Sequence, residues 1–133
     1  MKGLDTNVLA RYLLADEPEQ TRAAQGLIEG AEARGEVLYL CTIVLCELVW
    51  VLRSAPYHLD RPAIASVLET LLDTGTFEIQ DRELARRALA DFREGRADFS
   101  DYLLGWVHRK AGCEETVTFD RKLRGKEGFS LLA

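Results

Sequence analysis

The residues best suited to chemistry are four acids spread along the chain, Asp5, Glu47, Asp101 and Asp120, with Asp98 three residues before the third. They include neither histidine nor thiolate, and an oxygen-only donor set selects hard cations, here Mg2+ or Mn2+. Mg2+ retains waters and takes substrate phosphate as a ligand. The chemistry to expect is therefore phosphodiester hydrolysis by metal-activated water, with the departing oxygen stabilised by the same ion. Other chemistries are poorly served. Cys41, Cys46 and Cys113 form no CxxC pair, and with only His58 and His108 beside them a structural zinc site is not expected. Neither GxGxxG nor GxxxxGK[ST] occurs, which argues against nucleotide binding of those kinds. No Ser-His-Asp or Cys-His arrangement stands out.

Each acid also has an ordinary structural role open to it. Asp5 and Asp120 suit helix N-caps. Asp98 and Asp101 have the spacing of a capping pair, one acid at N-cap and another at N3, where the helix dipole favours it. Glu47 is different: it lies five residues past Thr42, outside a capping box, in a run to Leu52 that is otherwise apolar. A buried carboxylate is costly without a partner, so it calls for a cation, hydrogen-bond donors or a metal.

The elements that must position these acids alternate. Lys2 to Leu4 reads as a strand leading into a helix with Val8, Leu9, Tyr12 and Leu13 as its apolar positions. Pro18 opens a second helix, to about Ala33, closed by Gly35. Val37 to Leu40 is an apolar run of the kind found in a strand buried on both faces. Thr42 is placed to cap a helix from Ile43 to about Arg53, apolar almost all round and so expected to be deeply buried. A helix from about Ala63 to Leu72 and a strand at Phe77 to Ile79 follow. Next comes a helix carrying Leu84, Ala88, Leu89 and Phe92, then one through Leu103, Leu104 and Val107. Thr116 to Thr118 and Phe129 to Leu131 close the series as strands. The pattern predicts an α/β fold, a central parallel sheet of four to five short strands flanked by helices in an α/β/α sandwich. In such sheets ligands bind beyond the carboxyl ends of the strands, where Asp5, Glu47, Asp101 and Asp120 are expected to converge.

With 133 residues and 47% apolar content, one domain over residues 1–133 with one core is the expectation. No targeting segment is legible, and the longest apolar run, Val37 to Leu52, is interrupted by Glu47 and too short to span a bilayer. A soluble, cytoplasmic protein with reduced thiols and no membrane partner is expected. The net charge of −5 opposes unassisted binding to nucleic acid unless several acids share one pocket with a cation. Two stretches are basic: Arg82, Arg86, Arg87, Arg93 and Arg96, then Arg109, Lys110, Arg121, Lys122, Arg124 and Lys126. Solvated surface is the ordinary reading of both, and tracking of an RNA backbone is the functional one. Trp50, Trp106 and Tyr102 read as core or interface rather than as platforms for bases.

At these residues the sequence resembles the PIN-domain family and, within it, the VapC toxins of toxin–antitoxin pairs. The likeness is carried by Leu4-Asp5-Thr6-Asn7, by Thr42 through Glu47 and Leu48, by Ala97 through Leu104, and by Thr116 through Arg121. The resemblance implies a Mg2+- or Mn2+-dependent endoribonuclease acting on RNA, a homodimer, and a cognate antitoxin that blocks the acidic site. Position by position it maps Asp5, Glu47, Asp101 and Asp120 onto the family's acid quartet, with Asp98 as an additional metal-side acid. Asn7, Thr42 and Thr118 fall at supporting polar positions. Tyr102 and Trp106 are bulkier than the small residues expected there. Two other readings compete. A haloacid-dehalogenase-like phosphatase would also place Asp at the end of the first strand, but Asp5-Thr6-Asn7 lacks its second Asp. A non-catalytic acidic interaction module would bind a basic partner without metal.

Overall fold

Short apolar runs between helical patterns become short strands, all of them parallel. The computed structural model describes residues 1–133, which divide into two compact units, Met1–Asp81 and Arg82–Ala133. In the first, β1 (Lys2–Gly3), β2 (Leu38–Leu40) and β3 (Phe77–Ile79) form a sheet in that order, with Gly3 opposite Tyr39 and Leu40 opposite Ile79. Parallel neighbours need crossovers, and helices supply them: α1 (Thr6–Leu14) and α2 (Pro18–Ala33), then α3 (Thr42–Arg53) and α4 (Arg61–Asp73). The second unit holds α5 (Arg82–Glu94), α6 (Phe99–Lys110), β4 (Thr116–Thr118), a 3-10 turn at Arg121–Leu123, and β5 (Phe129–Leu131). β4 and β5 pair in parallel, Thr118 opposite Leu131. The α/β class and the five strands agree with the sequence reading. Their hydrogen bonding does not run through one sheet as expected; it forms a three-stranded and a two-stranded sheet.

Local signals explain most element ends. Pro18 occupies the first turn of α2, where its missing N–H costs nothing, and the Glu17 carboxylate accepts from Gln20 N at 2.6 Å. Gly35 takes a left-handed φ of +67° just beyond α2, the conformation glycine adopts without strain. Asp60 caps α4 through Ala63 N at 2.9 Å, so that helix starts earlier than Ala63.

The first core is aliphatic. Leu9, Ile28, Leu40, Leu45, Leu48 and Leu52 are almost completely buried, each worth about 1.5–3 kcal/mol on transfer from water. The second is partly aromatic, with Phe92 and Phe99 edge-to-face at 6.3 Å between ring centroids.

Two expectations about α3 are corrected. It is buried on one side only: Val44, Leu45, Leu48, Val49 and Leu52 are buried, whereas Ile43, Glu47 and Trp50 are exposed. Ile43 retains 67% of its surface and Trp50 44%. These three positions fall on one helical stripe, so the stripe is apolar in composition yet faces outward. Thr42 is the first residue of α3 and not its cap. Cys41 holds the N-cap position without a side-chain bond, and the free N–H of Thr42 donates instead to Gln80 Oε1 at 3.0 Å.

Candidate functional site

Pairing of β1 with β2 sets the carboxyl ends of two parallel strands side by side, and the helices that leave them, α1 and α3, start together. Thr6, the first residue of α1, is buried, and its Oγ1 donates to Glu47 Oε1 at 3.0 Å, one turn into α3. Asp5 immediately precedes it. Asp5 has the extended backbone of an N-cap (φ −74°, ψ 153°) and its carbonyl accepts from Val8 N and Leu9 N, but its side chain makes no capping bond. Capping therefore does not account for the Asp5 carboxylate, which is exposed beside the Thr6–Glu47 contact. Glu47 is also exposed, so the costly buried acid expected from the sequence is absent. What distinguishes Glu47 is orientation by a fixed hydroxyl. The hydroxyl that bonds Glu47 is that of Thr6, and Asn7, the next residue, is exposed.

In the second unit the capping reading is fulfilled. Asp98 caps α6, its Oδ1 accepting from Phe99 N at 2.8 Å, and it also receives the N3 backbone N–H. Asp101 Oδ2 accepts from Asp98 N at 3.0 Å, closing the reciprocal box. The box holds the Asp101 side chain in one orientation, half-buried, with Oδ1 outside it. Asp120 follows β4. Its backbone N donates to Thr118 Oγ1 at 3.0 Å, Oδ1 accepts from Lys122 N at 2.9 Å, and Oδ2 lies 3.9 Å from Lys122 Nζ.

Asp5, Glu47, Asp101 and Asp120 are hard oxygen donors, and each retains an oxygen not engaged by a backbone N–H or a hydroxyl. That donor chemistry fits Mg2+ or Mn2+. No three His, Cys, Asp or Glu side chains are grouped so as to hold a metal ion.

The bulky residues near the third acid have definite roles. Tyr102 is buried and its hydroxyl accepts from Ala97 N at 3.2 Å, one turn before Asp101. It lies so close to Gly95 that a Cβ there would sit 1.8 Å from its oxygen, which is why the α5–α6 turn carries glycine. Trp106 is half-buried, with Nε1 donating to Asp91 Oδ2 at 2.7 Å. Lys126 stands out in the sequence only as part of a basic stretch, and its partner Asp91 does not stand out at all. Nothing local marks a pair 35 residues apart.

The PIN domain family model matches residues 3–128. The chain is 32% identical over 129 residues to a VapC ribonuclease of Aquifex aeolicus (strain VF5), an alignment covering 97% of this chain and 93% of that protein.

Proposed function

Because the chain belongs to the PIN-domain family, we propose that it is a divalent-metal-dependent endoribonuclease, the toxin of a type II toxin–antitoxin pair. Residues 1–133 act as one catalytic domain. The geometric observation that carries the reading is the Thr6–Glu47 bond, which orients one acid beside an Asp5 carboxylate that caps nothing. The relative's ribonuclease activity supports the substrate class.

In this reading Asp5, Glu47, Asp101 and Asp120 are the acids that hold Mg2+ or Mn2+. When bound, the ion supplies a lowered pKa for water and charge stabilisation for the attacked phosphate and its leaving oxygen. The chain's own residues do the rest. Thr6 fixes the rotamer of Glu47, the Asp98 cap presents Asp101, and Thr118 anchors the backbone at Asp120. Asp98 acts through Asp101 as a positioning residue. Thr42 supports the site by starting α3, with Gln80 satisfying its N–H. Ile43 and Trp50, exposed on the stripe that carries Glu47, suit a protein partner that covers the acid, in keeping with an antitoxin or a second copy in a homodimer.

The test is cleavage of total RNA by purified protein in Mn2+ and in chelator, with Asp101→Asn beside it. Asn keeps an oxygen for Asp98 N, so folding should survive while the charge is lost. Discrete fragments that require metal and vanish in the variant are expected. Equal cleavage by wild type and variant, or none by folded wild type in Mn2+, would overturn the proposal.

A further inference from the structure

Within the second unit, one carboxylate joins the two segments that carry candidate metal acids. Asp91, on α5, keeps only 15% of its side chain exposed, so both of its oxygens need partners. Oδ2 accepts from Trp106 Nε1 at 2.7 Å, and Oδ1 accepts from Lys126 Nζ at 2.6 Å. Trp106 lies on α6, five residues after Asp101. Its ring is held further by the guanidiniums of Arg87 and Arg109, 5.1 and 5.4 Å from the centroid. Lys126 follows Asp120 by six residues, and turn bonds connect the two. Asp120 O accepts from Leu123 N, and Leu123 O from Lys126 N, each at 3.1 Å. Lys126 O then accepts from Phe129 N at the start of β5, also at 3.1 Å. Phe129 packs against α6 so closely that a Cβ on Gly105 would sit 2.6 Å from its ring. The turn that carries Asp120 is thus attached twice to the helix that carries Asp101. One attachment is ring packing, and the other runs through Asp91.

We propose that Asp91 is a positioning residue, which fixes Asp101 relative to Asp120 by holding Trp106 with one oxygen and Lys126 with the other. The proposal rests on the metal-dependent reading above and adds a residue outside the acid quartet. Mg2+ demands near-ideal geometry of its oxygen ligands. Removing groups that orient such ligands typically costs about 10- to 100-fold in metal affinity or activity. An ion pair that only stabilised the fold would leave the metal affinity of the folded protein unchanged.

The experiment is Mn2+ titration of the full chain, followed by the electron paramagnetic resonance of the free ion well below Tm, with folding checked by circular dichroism. Lys126→Met removes the ammonium and keeps the length of the side chain. Loss of a cation near Asp120 would, by Coulomb attraction alone, tighten Mn2+ binding. The sign of the change therefore separates geometry from charge. Lys126→Met should weaken Mn2+ binding about tenfold. Trp106→Phe, which removes the other link and alters no charge, should weaken it in the same direction. Lys126→Arg, which keeps the cation for Asp91, should restore most of the affinity. Unchanged or tighter Mn2+ binding in either folded variant, with wild type binding Mn2+, would overturn the positioning role alone. Wild type that binds no Mn2+ and cleaves no RNA would overturn the metal-dependent reading and the positioning role with it.

Discussion

At the scale of the residue, the main difference between sequence and structure concerns which small polar group does the supporting. The run Leu4-Asp5-Thr6-Asn7 marks the place, but nothing in it distinguishes Thr6 from Asn7. The distinction arises because α1 begins beside α3, so the first helical residue points at Glu47 from 41 positions away. Thr6→Val keeps the shape and removes the donor. A hydrogen bond to a charged group is worth about 1.5–3 kcal/mol, so cleavage should fall at least tenfold as Glu47 loses its orientation, and Thr6→Ser should recover most of it. Full activity in a folded Thr6→Val protein would show that the hydroxyl is only a packing contact.

At the scale of the element, what was legible was local. The Asp98–Asp101 box lies within four residues and could be read directly, as could Pro18 and Gly35 at the two ends of α2. The orientation of α3 could not. Its composition is apolar on every face, and only the sheet decides which stripe, here Ile43, Glu47 and Trp50, is left outside. Its cap is equally non-local, since Gln80 arrives from the end of β3. The box supports a prediction that separates capping from chemistry. Asp98→Ala should cost about 1 kcal/mol in a denaturant melt, whereas Asp98→Asn should keep both cap and activity. Asp98→Asn that is as inactive as Asp101→Asn would mean that Asp98 contributes charge at the site.

α1 is also fixed at its far end. The Tyr57 hydroxyl, just after α3, donates to Asp16, just after α1, and Arg11 Nη1 donates to the same carboxylate at 3.3 Å. The Tyr57 bond is the main cause holding the Asp16 carboxyl below its ordinary value, and the Asp16 bond is the main cause raising the phenol. A depressed carboxylate contributes stability above its unfolded pKa and loses it as pH falls through the folded one. A raised phenol contributes below its unfolded pKa and loses it as pH rises through the folded one. Tyr57→Phe should therefore lower Tm near neutrality, with the difference shrinking at both extremes. A Tm difference independent of pH would show that the bond does not couple to either titration.

At the scale of the whole molecule, alternation of strand and helix correctly indicated the α/β class, while the division into two units was not legible. Sequence periodicity reports each element's own faces and not which strands finally pair. The proposed metal dependence has a thermodynamic signature of its own. Asp5 and Asp120 are two of the four acids assigned to the ion. A ligand bound only by the folded chain stabilises it by about 2.7 kcal/mol at a hundredfold excess over Kd. At this chain length that is roughly a 10 °C rise in Tm on adding Mn2+. Asp5→Asn and Asp120→Asn should each remove most of the rise. If the Mn2+ shift is lost in Asp120→Asn yet intact in Asp5→Asn, Asp5 is not a ligand of the ion. Asp5 must then act, if at all, on substrate rather than on metal. Loss in both variants, with melting otherwise close to wild type in chelator, is what assigning both residues to the metal requires.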